Sequence, residues 1–547
     1  MMAGQSHKWM ILMTSIWIQA FTGTNFDFSA YSSELKKVLA VSQMQLNYLA
    51  TASDMGKAFG WSSGLALMYL PLWVVMFIAA AMGLFGYGVQ WLLICRIVDL
   101  PYFLVFLLCL LAGCSISWFN TVCFVLCTQN FPINRPLAIS LSVSFNGLSA
   151  ALYNLAAKAI DPSSYALYLI LNAFVPLSIF FAALIPILWR PILNSLPSDI
   201  NDRFIFIALN LFAVITGLYL LLIPSHSTHA KLFFTGAIVL LILPFGIPSI
   251  AYARNWFKDT VYPKLLEKGS SFLLGDDDHY DALIGSNHDV ILAVPDDDDN
   301  RIGNGVKGCL EMVIKSDRLE MLEEEHDAKR LLGRIDFWLY YLAYFCGGTV
   351  GLVYSNNLGQ IAQSLGLEST TSTLITLYSS FSFFGRLLSA APDFFRTKIY
   401  LARTGWLAIA LVPTTLAFLL LSLTETEAAL KIGTSLIGLS SGFIFSAAVS
   451  VTSELFGPKN VGVNHNILIT NIPVGSLIYG LLSALVYDSN AVSFGNSTVC
   501  MGRHCYFGTF VLWGCVSVLG LFSNVLLFLR TRVAYNSCEH NRISMES

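Results

Sequence analysis

Charged residues are scarce in this sequence. Asp, Glu, Lys and Arg make up 12% of its 547 residues, whereas hydrophobic residues make up 55%. The mean hydropathy is +0.65. A soluble domain keeps roughly a quarter of its residues charged to cover its surface. The composition therefore excludes an ordinary soluble fold and predicts a protein surrounded by lipid, and a net charge of −3 gives no indication of nucleic-acid binding.

The sequence also lacks the motifs of the common catalytic classes. It has no Walker nucleotide-binding motif, no zinc-ligand spacing and no recognisable nucleophile and base. Most of its 11 cysteines lie inside apolar runs, where we expect them to act as small buried hydrophobic residues. We therefore predict that the protein is not an enzyme and has no cofactor or metal site.

Long apolar runs are abundant instead. A helix needs about twenty apolar residues to cross roughly 30 Å of hydrocarbon. About fourteen stretches approach that length, namely residues 8–30, 43–69, 72–92, 101–128, 137–159, 165–189, 203–223, 231–252, 335–360, 371–391, 400–422, 430–454, 463–487 and 507–530. We therefore predict an all-α polytopic membrane protein with about fourteen transmembrane helices, whose main partner is the lipid bilayer.

The first six and the last six spans resemble each other in register. Phe131 and Asn146 are followed 325 residues later by Phe456 and Asn471, and each pair flanks the start of a fifth helix. Further matches are Phe21 with Phe345, Tyr153 with Tyr479, and Gly56-Lys57 with Gly385-Arg386. Because two extra spans separate the halves, both halves start on the same side of the membrane, and we expect a cavity between them.

These patterns divide the chain into five parts. We predict a six-helix half at 1–191, two additional helices at 192–252, an acidic cytosolic loop at 253–334, a second six-helix half at 335–531 and a cytosolic tail at 532–547. The loop carries GDDDHYD and PDDDDN, whose carboxylates are expected to be solvated rather than to bind a cation. Such a loop could serve as a site for a cytosolic regulator.

The distribution of Lys and Arg predicts the orientation. Short segments on the side of the two termini hold more of them than the opposite loops, so both termini are expected to be cytosolic. The glycosylation sequon at Asn496 and the pair Cys500 and Cys505 then fall in the last outer loop. An oxidising compartment there would permit both glycosylation and a disulfide.

The second helix of the second half carries a recognisable motif. Its sequence FFGRLLSAAPDFFRTK is similar to the inner-loop signature of the major facilitator superfamily, with matches at Gly385, Arg386, Asp393 and Arg396. The resemblance implies a conformational latch, in which an Asp near a helix end pairs with an Arg of the loop. The corresponding stretch of the first half, GLALMYLPLW, lacks the charged residues, so the latch would be one-sided.

Longer stretches of the sequence resemble particular groups within that superfamily. The first 250 residues, including KWMILMTSIWIQAFTGTNFDFSAYSS and ASDMGKAFGWSSG, resemble the plant nodulin-like branch of that superfamily. The second half, including SSGFIFSAAVSVTSELFGPKNVGVNHN, is similar to its nuclear-fusion-defective group. The resemblance implies a transporter-type fold of undefined substrate. Members are associated with the plasma membrane, the endoplasmic reticulum and mitochondria, and we expect one of the first two.

Polar residues inside the spans are candidates for a cavity or for ion coupling. Asp54 and Lys57 lie three residues apart on one helix face, so they could form a self-neutralised structural pair or bind substrate. Further candidates, for which interfacial solvation or interhelical hydrogen bonding is the competing explanation, are Asn25, Asp27, Asn356 and Asn357 near helix ends and Asn146 and Asn471 within the fifth helices.

Two functions fit these features. The first is a secondary transporter that moves a small solute by alternating access of its two halves. The second is a receptor or scaffold that keeps the fold but signals through the 253–334 loop without transport.

Overall fold

The structure is a computed structural model of the chain. It describes residues 2–132, 134–161, 164–188, 200–222, 229–247, 318–319, 321–395, 401–494 and 497–546. We refer to the face at which the first helix begins as the amino-terminal side and to the other face as the opposite side.

The first half consists of six spans built from eight helices, of which α2 is a short helix on the opposite side. Span two is divided between α3 and α4, because the regular helix is interrupted at Phe59 and Gly60. Pro71 and Pro101 immediately precede α5 and α6, where a missing backbone N–H costs nothing. The helices are α1 (Met2–Thr22), α2 (Phe28–Leu39), α3 (Gln43–Ala58), α4 (Trp61–Tyr69), α5 (Leu72–Ile94), α6 (Tyr102–Asn130), α7 (Arg135–Ile160) and α8 (Ala166–Leu188).

The two additional helices pack on the first half. They are α9 (Ile200–Leu222) and α10 (Ala230–Ile242), and a short 3-10 turn, Leu243–Phe245, follows α10. Lys8 of α1 forms a buried ion pair with Asp202 of α9 at 2.6 Å. The indole of Trp17 donates a hydrogen bond to the carbonyl of Leu241 at 3.1 Å. Both helices are therefore fastened to the first span.

The second half repeats the plan. Its first span contains a π-helical segment, Phe345–Thr349, between two α-helical parts. Its helices are α11 (Ala328–Leu332), α12 (Ile335–Tyr344), α13 (Val350–Ser364), α14 (Thr371–Leu388), α15 (Ala391–Phe395), α16 (Arg403–Leu423), α17 (Glu427–Phe456), α18 (Val461–Ile469), α19 (Asn471–Ser489) and α20 (Phe507–Glu546). The last helix continues through the segment expected to form a tail at 532–547, as far as Glu546.

Eleven helices in the described part of the chain are long and apolar enough to cross a membrane. The other three predicted spans are also helical: α1, the interrupted pair α3 and α4, and the shorter Ala230–Phe245 segment. The all-α fold is therefore confirmed, while the count of about fourteen stays a prediction. One small exception to the all-α fold is an antiparallel hairpin of β1 (Val492–Phe494) and β2 (Ser497–Val499).

The same helix contact occurs in both halves. A Cβ atom built on Gly56 would collide with the carbonyl oxygen of Leu110, and one built on Gly385 would collide with that of Leu439. Each residue of the second pair lies 329 positions after its counterpart. Only glycine lets the second and fourth spans approach so closely, so the repeat preserves a backbone contact as well as a sequence pattern.

A hydrogen bond is repeated in the same way. The hydroxyl of Tyr153 donates to the carbonyl of Phe21 at 2.8 Å, and that of Tyr479 donates to the carbonyl of Phe345 at 3.5 Å. Each bond joins the fifth span of its half to the first. The repeat pairs found in the sequence therefore occupy equivalent positions in space.

The end of the acidic loop packs against the second half. His326 is fully buried, and its backbone N–H donates to the carbonyl of Phe456 at 3.1 Å. Asn464 donates its side-chain amide to the carbonyl of His326 at 3.0 Å. The polypeptide before α12 is thus packed on the amino-terminal side of the second half. The two Asp runs of this loop lie outside the described residues.

Candidate functional site, a cavity between the two halves

A cavity of about 90 Å³ lies between the two halves. Spans from both halves contribute to its wall, which combines apolar side chains such as Phe124, Leu352 and Phe445 with polar ones. The polar side chains are Gln19, Lys57, Ser117, Asn120 and Asn146 from the first half and Tyr344, Arg386 and His465 from the second. Such a mixture of an apolar wall and a few convergent polar groups is typical of small-molecule sites.

Two cations reach this cavity, one from each half. Lys57 and Arg386 are partners in the sequence repeat, and each follows directly after the glycine at which its helix contacts the fourth span. Arg386 donates from Nη1 to the Val143 carbonyl and to Asn146 Oδ1, both at 3.0 Å. The duplication has therefore placed equivalent basic side chains on opposite walls of one cavity.

Asp54 connects the halves just beyond the cavity, toward the opposite side. Its carboxylate accepts a hydrogen bond from Lys57 at 2.6 Å within its own helix, and from Ser476 at 2.5 Å and Asn356 at 3.4 Å in the second half. Asp54 is only 2% exposed. Asp54 and Asn356 also line a smaller cavity of about 20 Å³. The carboxylate of Asp54 thus lies between the two cavities and links the first half to the second.

Polar contacts between the halves lie on both sides of the main cavity. On the opposite side, Lys158 and Asn154 donate to the hydroxyl of Ser372 at 3.0 and 3.3 Å. On the amino-terminal side, Arg135 donates to the hydroxyl of Ser453 at 3.3 Å. The wall residues Phe124 and His465 come from different halves and meet edge to face with ring centroids 5.6 Å apart.

The helices α7 and α14 form the closest contact between the halves. The hydroxyl of Ser379 donates to the Gly147 carbonyl at 2.7 Å. A Cβ atom on Gly147 would lie 3.0 Å from the backbone nitrogen of Phe383, a tight contact that glycine avoids. The backbones of the two helices therefore approach each other closely at this point.

Some of the candidate residues predicted from the sequence line a cavity, and others do not. Lys57 and Asn146 line the main cavity, and Asp54 and Asn356 form the junction beyond it. The other described candidates lie outside the walls of both cavities and bond within their own half: Asp27 to Asn172, Asn357 to the Val353 carbonyl, and Asn471 to Thr349. The side chain of Asn25 lies outside the described residues.

Only part of the predicted latch lies among the described residues, so the latch stays a prediction. Asp393 pairs with Arg403 at 2.8 Å, and the same guanidinium also contacts Glu454 at 2.9 Å. Arg386 lies in the cavity wall, away from this cluster, and Gly385 serves the packing of α14 on α17. Arg396 lies outside the described residues. The charge cluster at the end of the motif therefore centres on Arg403, which begins the following helix.

The last loop contains the expected cysteine pair. Cys500 and Cys505 form a disulfide. Together with His504 they are the one group in the described part of the chain that is spaced like metal ligands. Because the disulfide occupies both sulfurs, this group does not offer thiolates to a metal. The sequon residue Asn496 lies outside the described residues.

Sequence reasoning missed several residues of the site. Gln19, Asn120, His465 and Ser476 were not among the candidates, because single polar residues in apolar helices carry no periodic signal. Arg386 was a candidate for the latch and was counted with the inner-loop cations. The repeat could have placed it correctly, because its counterpart Lys57 was already recognised as lying within a span.

Two repeated six-helix halves around a polar cavity define the class of the protein: it has the fold of the major facilitator superfamily of transporters. A solved structure of the protein PepTSo2 is similar with a TM-score of 0.51 and 10% identity, covering 97% of this chain and 99% of that chain. At this identity the similarity concerns the fold alone.

Family models and a more similar relative show the family to which the chain belongs. The family model described as Nodulin-like matches residues 8–249, and the model described as NFD4, C-terminal domain, matches residues 320–537. The Arabidopsis thaliana "Protein NUCLEAR FUSION DEFECTIVE 4" is 55% identical over 100% of this chain and 92% of its own length. The chain therefore belongs to the nodulin-like, nuclear-fusion-defective family of the major facilitator superfamily.

A more distant relative covers part of the chain. The "Probable transporter MCH1" of Yarrowia lipolytica is 30% identical over 32% of this chain and 38% of its own length. Because the fold and the relatives are those of transporters, the chain is a multi-pass membrane protein and not an enzyme.

Proposed function

We propose that the protein is a secondary transporter that carries a small solute by alternating access of its two six-helix halves. The observation that carries this proposal is the cavity between Lys57 and Arg386, which has polar contacts between the halves on each side of it. Breaking the contacts on one side while keeping those on the other would expose the cavity to one compartment at a time.

The chemistry of these contacts suits such a movement. Each side includes a few hydrogen bonds from Arg135, Asn154 or Lys158 to single hydroxyl groups. The halves also share apolar contacts, such as that of Phe145 with Phe383. A net hydrogen bond contributes roughly 0.5–1.5 kcal/mol, or about 1.5–3 kcal/mol when one partner is charged. Both arrangements can therefore lie within a few kcal/mol of each other, as a transport cycle needs.

The remaining parts of the proposal concern orientation and regulation. We assign the amino-terminal side to the cytosol, which places the sequon at Asn496 and the disulfide of Cys500 in an extracellular or luminal loop. The membrane is the plasma membrane or the endoplasmic reticulum. The 253–334 loop is the site at which a cytosolic regulator would act, because its end packs on the second half through His326.

Transport is tested with the purified full chain in liposomes loaded with a broad mixture of metabolites. Solutes that cross only in the presence of protein identify the substrate. Two double-cysteine variants, one at Lys158 with Ser372 and one at Arg135 with Ser453, can cross-link either side of the cavity. Each cross-link alone should stop flux and a reductant should restore it, with reductant-treated wild type as the control for the native disulfide.

The alternative function makes a different prediction. A scaffold would show no flux of any solute, although it would remain folded and would still signal through its 253–334 loop. Deleting residues 253–317, which leaves the packed segment around His326 in place, distinguishes the two, since a transporter keeps or gains flux while a scaffold loses its only output. Persistent flux in both cross-linked variants would contradict alternating access.

A further inference from the structure

We infer that the cavity between the halves binds an oxyanion, a carboxylate or a phosphate group of the transported solute, between Arg386 and Lys57. That the bound solute is transported rests on the proposed function, whereas the binding site itself is inferred from the structure alone.

The charge of the wall is the first observation. Among the residues that the structure describes, the cavity is lined by two cations and by no carboxylate. Asp54 reaches Lys57 from beyond the wall, where it is also held by Ser476 and Asn356. Cationic donors from both halves thus face the cavity, so its wall would attract an anionic solute.

Unsatisfied polar atoms are the second observation. The amide nitrogen Nδ2 of Asn146 is buried and has no hydrogen-bond partner among the described residues, although its Oδ1 accepts from Arg386. Asn146 is 6% exposed. Nδ1 of His465, on the other half, is also buried and unsatisfied, and it donates only in the tautomer that carries the proton there. A buried amide N–H normally has an acceptor, and an oxygen atom of a carboxylate or phosphate can supply one.

The position of Arg386 is the third observation. Asn146 Oδ1 and the Val143 carbonyl both accept from Nη1, and the guanidinium lies over the ring of Phe445 at 5.6 Å. These contacts come from both halves and hold the planar group at the wall. An oriented guanidinium can bind an oxyanion with two parallel hydrogen bonds, which a lysine cannot do.

The size of the cavity limits the ligand. At roughly 10–15 Å³ for each water, a volume of about 90 Å³ holds about six waters. Inorganic phosphate and lactate are therefore of suitable size as probes, one for each class of oxyanion. Lactamide has nearly the shape of lactate without its charge and serves as the neutral comparison.

The test measures binding to the purified full chain in detergent, by isothermal titration and by ligand-induced thermal stabilisation. We expect lactate, phosphate or both to bind and lactamide not to bind. Arg386→Gln should weaken anion binding by about tenfold or more, as expected for the loss of a charge-assisted contact. Arg386→Lys should keep part of the affinity. Lys431→Gln, which removes a cation outside the cavity that pairs with Glu427 on its own helix, should leave binding unchanged.

A second variant keeps the test decisive if Arg386→Gln does not fold. Asn146→Asp places a carboxylate next to the guanidinium, so it should abolish anion binding without removing the cation. Binding of lactate alone identifies a carboxylate site, and binding of phosphate alone identifies a phosphate site. Absence of binding by both anions, equal binding of lactamide, or unchanged affinity in Asn146→Asp would overturn the inference.

The two proposals fail separately. Anion binding in detergent without flux into liposomes would refute the transport function and leave the oxyanion site standing. Flux of a neutral solute without anion binding would refute the oxyanion site and leave the transport function standing.

Discussion

The junction at Asp54 leads to a quantitative prediction about the balance between conformations. Ser476 is the residue of the second half that lies closest to this carboxylate, with its hydroxyl donating at 2.5 Å. Ser476→Ala removes that bond but keeps the ion pair between Asp54 and Lys57 within the first half. In the proposed transport cycle this contact is lost when the opposite side opens, so the substitution should favour that opening.

The expected magnitude follows from the charge of the acceptor. A hydrogen bond to a charged group contributes about 1.5–3 kcal/mol, and each 1.4 kcal/mol changes an equilibrium constant tenfold. Ser476→Ala should thus raise the ratio of open to closed molecules on the opposite side by about tenfold to a hundredfold. Ser440→Ala is the matched control, because its hydroxyl donates to the Ala410 carbonyl within one half.

The assay is the labelling rate of Cys109, a buried cysteine in the wall of the smaller cavity next to Asp54. The background should lack the exposed Cys95, Cys515 and Cys538 and the loop residue Cys309. Labelling by a water-soluble maleimide should be faster in Ser476→Ala than in the parent and unchanged in Ser440→Ala. Equal rates in all three proteins would refute the role of this bond in closure.

Three further predictions concern stability. Asp54→Asn or Lys57→Met alone should lower thermal stability in detergent more than the double variant, since loss of one partner of a buried pair costs about 3–5 kcal/mol; equal losses would contradict the pairing. Gly385→Ala should cost about 1–3 kcal/mol by overpacking, whereas Gly480→Ala, with open space at its Cβ, should be tolerated, as folded yield will show. Arg403→Gln should lower the melting temperature by leaving two carboxylates without their shared cation, and a melting temperature like that of the parent would refute this.

The fold was largely predictable because its signals are strong and repeated. Apolar runs near twenty residues report the spans directly, and the matches of Phe21 with Phe345 and Tyr153 with Tyr479 correspond to one hydrogen bond made twice. The break between α3 and α4 and the packing of His326 were not predictable, since both depend on contacts with residues distant in the sequence.

The site was less predictable because the sequence does not show how deeply a charged side chain is buried in the protein. Arg386 and Arg530 both lie near predicted helix ends in the sequence, yet Arg386 lines the cavity and Arg530 forms a fully buried pair with Asp336 at 2.6 Å. Asn146 and Asn471 are repeat partners, but only Asn146 meets an arginine of the other half. A sequence repeat gives equivalent positions, while tertiary contacts decide which of them faces the cavity.

The central claim is that the two halves move about the cavity so that its two sides open in turn. Pulsed electron paramagnetic resonance on two spin-label pairs measures this directly, with one pair at Lys158 and Ser372 and the other at Arg135 and Ser453. We predict that when the population with a long distance on one side rises, the long-distance population on the other side falls. Distances that stay fixed on both sides, or that lengthen together, would contradict alternating access.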